Sequence, residues 1–476
     1  MKFSNHFPWV FLVRLPLVLA GVNCASLVQR LRAELSPQLS SNNLISTTAP
    51  SRWSNFEAPK PGAVVNVATE SDVVATVKYC TAQDIPFLAQ NGGNGWATTF
   101  RINKTGVVIN LAGLNKVTFN ADKTQATIGG GTTVSNTIEK AYAAGALVLT
   151  GNCNCVGTLG ALLGGGYGNL MGEYAFGVDN VLSLRVVTAD GQLHNVTATS
   201  DPDLFWALRG AGPNFGIVTS VTVKSYPASE KDMQAWAGNL VFSEHQLEDV
   251  VQAIQDLVLT PDMVIFLYLL ADPTTGSPSV VAAPFLHKGN ATTGRAAYAS
   301  LYAIGPIADT TSVLPYNRWN DASITLCARG SFKPGWAAGF QNMIPTTWRG
   351  IWDAYVAFQQ LPGAENSGVL LEAYSLTKAR SVASSSSAFP NRNVNFNAFA
   401  IPWYNDSSLD AEAAVFGNTV RDLLRSTSGL PRNQTYINFG HGDEEPEVVY
   451  GHSLARLRSI KRKYDPNDVF NQWFNI

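Results

Sequence analysis

The sequence predicts an α+β chain built as two sheet-based domains, and three observations carry that expectation. From about residue 60 to 227, short apolar strands alternate with helix-patterned segments and with dense glycine. Residues 228–425 hold longer strands with helices between them. The tail from 426 to 476 ends in a polar helical pattern stopped by Asp465-Pro466.

The elements follow in order. "AVVNV" reads as a strand, and "TESD" behind it fits a capping box with Thr69 as N-cap and Asp72 at the third helical position. Val73, Val77 and Cys80 then fall at helical spacing. "PFLA" and "GVVINL" are strands, and "VTFNADKTQATIGGG" reads as two strands around an Asp-Lys turn. Val134, Ile138, Ala141 and Tyr142 form a helical stripe that ends at Gly145, and "ALVLTG" is again a strand. In the second domain "VIFLYLL", "SVVAAPFL", "GVLLEAYS" and "NVNFNAFAI" are strands, while "SVASSSSAF" reads as a loop.

Composition narrows the function. The chain has 476 residues and a formal net charge of -2, with no basic stripe, which argues against a nucleic-acid partner. The first 25 residues place a lysine before a broken apolar run with small residues after it, the pattern of a secretory signal peptide. That run is too short to span a bilayer, and no later segment is long enough, so no membrane span is expected. Sequons at Asn103, Asn195, Asn290, Asn405 and Asn433 agree with a secreted or lumenal protein carrying N-glycans. Five cysteines and six histidines make neither a disulfide-dense scaffold nor an evident metal site.

Glycine marks the chemistry. Clusters occur at Gly92–Gly95, Gly129–Gly131, Gly157–Gly160, Gly164–Gly166 and in "RGAGPNFG". One such cluster is an ordinary tight turn; five within about 125 residues suggest backbone N–H groups collected around an extended, phosphate-bearing cofactor. The G-x-G-x-x-G and G-x-x-x-x-G-K-[ST] patterns are absent, which disfavours a nicotinamide cofactor or a P-loop nucleotide.

"QNGGNGW", "GNCNCVGTLGALLGGGYG", "GVDNVLSLRVVTADG", "DPDLFWALRGAGPNFGIVTSVTVKSYP", "AFPNR", "TYINF" and "KRKYDPNDVFN" resemble the vanillyl-alcohol oxidase, or PCMH-type, flavoproteins, and more closely their berberine-bridge-enzyme-like branch. The resemblance implies FAD as cofactor. It implies a PCMH-type flavin domain over 55–227, a substrate domain on an antiparallel sheet over 228–425, and a C-terminal segment, 426–476, that returns to the first. It assigns Gly92, Gly93, Asn94 and Gly95 to the FAD pyrophosphate, with Asn91 beside them as cofactor-binding. Cys153, Val156, Gly157, Gly160, Gly164, Gly165, Gly168 and Val178 are assigned to the flavin, Ile217 and Val218 to its adenosine side.

Many members of the branch carry a histidine, covalently bound to flavin, where this chain has Asn94. An amide cannot make that bond, so the histidyl link is expected to be absent. Asn94 would also suit a left-handed turn position. Cys153 matches a second linking position, so it either bonds the flavin alone or lies unlinked beside it, and Cys155 reads as structural. By resemblance, Val156 leans towards oxygen-reactive members.

Hydride transfer to flavin needs a base for the substrate proton. Two candidates arise, each with a structural alternative: Tyr436, with Asn438, only holds the flavin by hydrogen bonds, and Glu372 only sits at a solvated sheet edge. In "TYINF", read as a strand, Tyr436 and Asn438 share a face, and Tyr436 needs a neighbour that lowers its pKa from about 10. In "GVLLEAYS", Glu372 and Tyr374 share the face opposite Leu371. Arg392 and His441 are weaker candidates. The reading is a secreted FAD-dependent oxidase of a small alcohol or secondary metabolite, with molecular oxygen as co-substrate and hydrogen peroxide as product. A carbohydrate oxidase, and a flavin-bound cyclase or isomerase without net redox turnover, stand as alternatives.

Overall fold

The computed structural model describes residues 26–476; the signal-peptide expectation lies outside them. Among the described residues, the chain forms two sheets and a small two-stranded pair in its first part and one large sheet in its second. The first sheet has the order β1-β2-β4-β3, from Ile45–Ser46 (β1), Ala63–Asn66 (β2), Phe87–Gln90 (β3) and Val107–Asn110 (β4). β2 and β3 both run parallel to β4. Helix α1 (Leu27–Glu34) and helix α2 (Glu70–Ala82) share an apolar core with this sheet. The expected capping box is present: Thr69 Oγ1 accepts from Asp72 N, and the Asp72 carboxylate accepts from Thr69 N.

The second sheet is antiparallel in the order β5-β6-β10-β8-β9. Its strands are Val117–Phe119 (β5), Gln125–Gly129 (β6), Val181–Val187 (β8), Leu193–Thr197 (β9) and Ile217–Lys224 (β10). Helix α3 (Val134–Ala144) ends at Gly145 in the left-handed conformation, as the sequence predicts. Of its expected stripe Val134, Ile138 and Ala141 are buried, while Tyr142 is exposed. "ALVLTG" is strand only over Ala146–Leu147 (β7), which pairs with Tyr226–Pro227 (β11). An apolar run this short gives burial without fixing extended pairing along its length.

The large sheet follows the path β16-β13-β15-β14-β19-β20-β18. It comprises Gln234–Ala237 (β12), Leu240–Phe242 (β13), Met263–Ala271 (β14), Pro278–His287 (β15), Ala308–Asp309 (β16), Ser312–Pro315 (β17), Trp336–Phe340 (β18), Gly368–Tyr374 (β19) and Phe396–Ile401 (β20). The named pairings in it are antiparallel. Strand alternation sorts its faces. Ile265, Leu267, Val369, Leu371, Ala398 and Ala400 point to a core shared with helices such as Pro345–Gln359. Phe266, Tyr268, Leu370, Glu372, Tyr374, Phe399 and Ile401 point the other way, into a cavity against the first part of the chain. The C-terminal helix Leu454–Tyr464 buries Leu454, Leu457 and Ile460 in the core of the first part.

Candidate active site

The cavity lies between the glycine loops and the open face of the large sheet. Of the residues assigned from sequence, Asn91–Gly95, Cys153, Val156, Gly157, Gly160, Glu372, Tyr436 and Asn438 line it. Gly164, Gly165, Gly168, Val178, Ile217 and Val218 do not. Gly164 lies under the Asn438 amide, Gly165 against the Phe389 ring, and Gly168 against Thr150 O, where a side chain would collide. Val178, Ile217 and Val218 are buried apolar core, the last two at the start of β10.

The glycine loop is shaped by its carbonyls. Trp53 N donates to Gly93 O (2.9 Å), Arg329 Nη2 to Gly92 O (2.9 Å) and Arg52 Nη2 to Gly95 O (2.6 Å). None of the backbone N–H groups from Asn91 to Gly95 donates to another described residue. Gln90 Oε1 is taken by Arg52 Nη1 at 2.9 Å, which fixes the amide and leaves the buried Nε2 unpartnered among the described residues. Free N–H groups beside two guanidiniums suit a bound diphosphate. Gly160, in helix α4 (Thr158–Leu163), has nothing within 4 Å of where a Cβ would stand. These features fit FAD.

The left-handed position in the loop belongs to Gly93 (φ 68°) and not to Asn94, which corrects the turn-geometry expectation for the asparagine. With its nitrogen turned to donate, the Asn94 amide lies 3.0 Å from Gly92 O and 3.1 Å from Cys155 O, so it ties the two cofactor loops together. Cys155 is bonded to Cys327, 172 residues away. Cys153 remains a thiol, 3.5 Å from Cys155 Sγ and 3.6 Å from Cys327 Sγ. Burial pushes its pKa up to about 11, which keeps it protonated and weakly nucleophilic. The three sulfurs gather closely, but two are bonded to each other, which leaves no thiolate ligand set.

Glu372 lies on β19 opposite Asn397 of β20. Its Oε2 accepts from Tyr374 Oη at 2.8 Å, and Asn152 Nδ2 donates to the same hydroxyl at 2.6 Å. Asn169 N donates to Asn152 Oδ1 (2.9 Å), fixing which way that amide faces. Burial raises the Glu372 carboxyl from 4.5 to about 7, partly offset by the Tyr374 hydrogen bond. A group that titrates near neutrality is suited to exchange protons with a substrate.

Tyr436 differs from its sequence reading. "TYINF" is not a strand: Ile437–Phe439 is a 3₁₀ turn, closed by Phe439 N on Tyr436 O (2.8 Å). Tyr436 and Asn438 still meet, because Asn438 Nδ2 donates to Tyr436 Oη at 2.8 Å. That hydroxyl also accepts from Gly166 N (3.3 Å) and donates to Ala161 O (3.2 Å). Burial pushes its pKa up, and none of these partners is cationic. A phenol so placed is a poor base. Arg392 forms a buried ion pair with Asp179, and His441 stacks on Trp336 with ring centroids 4.1 Å apart, so both are structural.

Sequence reasoning passed over Asn152, Arg52, Arg329 and the aromatic wall of Trp96, Phe266, Tyr268, Phe399 and Phe439. Trp96 stacks on Phe399 (5.8 Å) and Phe439 (6.2 Å). Period-two alternation about Glu372 gives a signal for part of this wall, since Phe266 is the register partner of Glu372 and Tyr268 that of Leu370.

Comparison with known proteins bears on these features. The family model described as "FAD binding domain" matches residues 61–197, and the one described as "Berberine and berberine like" matches residues 435–476. The chain is 32% identical over 442 residues to the FAD-linked oxidoreductase chyH of Penicillium rubens, covering 89% of this chain and 87% of that protein. It is 28% identical to the FAD-linked oxidoreductase srdI of Neurospora crassa, covering 88% and 85%. Among solved structures, the fold is similar to xylooligosaccharide oxidase from Myceliophthora thermophila C1 in complex with xylobiose, with TM-score 0.77 and 19% identity over 94% of this chain and 99% of that one. It is also similar to 6-hydroxy-D-nicotine oxidase from Arthrobacter nicotinovorans, with TM-score 0.74 and 21% identity over 89% and 94%.

Proposed function

The chain belongs to the FAD-linked oxidoreductases of the berberine-bridge-like family, and from that premise we propose that it is a secreted oxidase of a small, largely apolar secondary metabolite. It oxidises a carbon bearing a hydroxyl, or an activated C–H, and passes both electrons to molecular oxygen. For an alcohol the balance is R₂CHOH + O₂ → R₂C=O + H₂O₂.

In this reading residues 55–227 and 426–476 hold the cofactor, and 228–425 present the substrate. The N–H groups of Asn91–Gly95 take the diphosphate, while Gly157, Gly160 and Asn438 border the ring system. Bound there, FAD supplies the hydride acceptor. Glu372 takes the substrate proton, and Tyr374 and Asn152 hold its carboxylate in one orientation. The aromatic wall excludes water and orients a flat substrate. Secretion is supported by the exposure of all five sequon asparagines.

The observation that carries the substrate class is the wall itself. Phe266, Tyr268, Leu370, Phe399 and Ile401 surround a single cavity carboxyl, Glu372, among the described residues. A sugar would leave most of its hydroxyls unpaired against such a surface. Oxygen uptake and peroxide formation with matched panels of aromatic alcohols and oligosaccharides test this. Turnover confined to the aromatic panel is expected; turnover confined to sugars would reverse the assignment, and product without oxygen uptake would favour the redox-neutral reading.

A further inference from the structure

The segment from Asn320 to Lys333 leaves the second domain and passes over the cofactor loops, with Ser323 and Leu326 lining the cavity. Its contacts fall into two groups. At one end Asn320 Nδ2 donates to Gly151 O (3.4 Å), Ser323 Oγ to Asn152 O (3.2 Å), and Cys327 is bonded to Cys155. At the other, Arg329 donates to Gly92 O (2.9 Å) and Ser51 O (2.7 Å), Trp53 Nε1 to Leu326 O (2.6 Å), and Lys333 Nζ to Trp53 O (2.7 Å). One strap thus grips both loops that the FAD reading assigns to the cofactor. The disulfide is its covalent tie to the loop that holds Cys155.

Arg329 and Arg52 have no carboxylate partner among the described residues; both turn to loop carbonyls instead. Each carbonyl they hold leaves the adjoining N–H groups free for an anion, and the two charges add to the attraction. Opening the strap therefore loosens the loop geometry as well as uncovering the cavity. Meanwhile Asn94 cannot bond the flavin, and its amide holds Gly92 O and Cys155 O together.

We propose that the Cys155–Cys327 disulfide and Arg329 lock this strap over the cofactor and retain FAD by enclosure, in place of a covalent link at residue 94. The proposal rests on the FAD reading of the site. Loss of cofactor then waits on local opening of the strap, so the disulfide acts on the dissociation rate.

The test uses the full chain in a Cys153→Ser parent, in which no cavity thiol can bond flavin or replace Cys155 in the disulfide. Release of FAD into FAD-free buffer is followed by the rise of free-flavin fluorescence. Adding Cys327→Ser is expected to speed release at least tenfold, and Arg329→Ala by a smaller factor, with far-ultraviolet circular dichroism unchanged. Reducing the parent with a phosphine, with thiol titration to confirm the open disulfide, gives the same comparison without a second substitution and covers a Cys327→Ser protein that fails to fold. Equal release rates with the disulfide closed and open would overturn the strap. An unsubstituted chain that folds but neither carries nor takes up FAD would instead overturn the cofactor reading on which the strap depends.

Discussion

Glu372 and Tyr374, two residues apart on one strand, are joined by a 2.8 Å hydrogen bond, and the tyrosine hydroxyl is held from its other side by Asn152 at 2.6 Å. These hydrogen bonds give the carboxyl a fixed direction, and burial, against the lowering effect of the Tyr374 bond, raises its pKa to about 7. As the base it must be ionised. kcat/KM is expected to rise about tenfold per pH unit below 7 and to level off above it, reporting the free enzyme. Glu372→Gln should lower kcat by about 10²–10⁴-fold while FAD absorbance stays. A flat pH profile, or a Gln variant within threefold of the parent, would remove Glu372 from the chemistry.

The same carboxyl makes a statement about stability. Its folded pKa of about 7 lies above the ordinary 4.5. Between those values the folded chain keeps a proton that the unfolded chain has lost. Stability from this group is complete below about 4.5, falls as pH rises through the window, and is lost above about 7. The size is roughly 3 kcal/mol. Urea unfolding of the parent and of Glu372→Gln from pH 5 to 8 reads it directly. The variant should gain on the parent as pH rises, and parallel curves would show that the carboxyl is not raised.

Tyr436 gives the opposite expectation. Its hydroxyl is already committed to Ala161 O, Gly166 N and Asn438. Tyr436→Phe should keep kcat within about tenfold and move KM or FAD affinity instead, as the loss of one positioning hydrogen bond does. If Tyr436→Phe abolished turnover and Glu372→Gln did not, the two roles would be exchanged.

How far the sequence led is visible in particular residues. The Thr69–Asp72 capping box and the α3 stripe were legible because both are local, fixed by three- and four-residue spacings. Glu372 and Tyr374 were legible because strand alternation is local too. The pairing of Cys155 with Cys327 was not, since nothing in the neighbourhood of either cysteine points to a partner 172 residues away. Nor was the turn at Tyr436. "TYINF" has strand composition, and the 3₁₀ turn is held in place by a contact no local pattern reveals, Asn438 Nδ2 to Ala161 O across the fold (2.9 Å). The roles of Arg52 and Arg329 escaped for the same reason, because both act on a loop that neither adjoins in sequence.

The state of the flavin bond can be read in one precipitation. Asn94 offers no nucleophile, and burial holds the Cys153 thiol neutral with a pKa of about 11. Acid-precipitated protein is expected to leave a yellow supernatant and a colourless pellet. A yellow pellet that Cys153→Ser turns colourless would mean that the thiol does bond the flavin despite its burial.

The seat of the cofactor can be tested at Gly160. This glycine sits inside α4 with no atom within 4 Å of a prospective Cβ, and it faces the cavity. A glycine inside a helix costs roughly 0.5–1 kcal/mol relative to alanine, so its presence there calls for a reason other than the helix. Space for a ligand is such a reason. Gly160→Leu should therefore fold, and without FAD its melting temperature should equal or exceed that of flavin-free parent, since a Cβ at this position meets no atom beyond its own helix and the rest of the side chain faces the cavity. With FAD present the order should reverse. The parent gains stability from the bound ligand, and the variant, whose side chain fills the seat, does not. A Gly160→Leu protein that takes up FAD as tightly as the parent would show that the cofactor lies elsewhere in the cavity. A variant that loses stability without FAD would show that the glycine serves the chain's own packing.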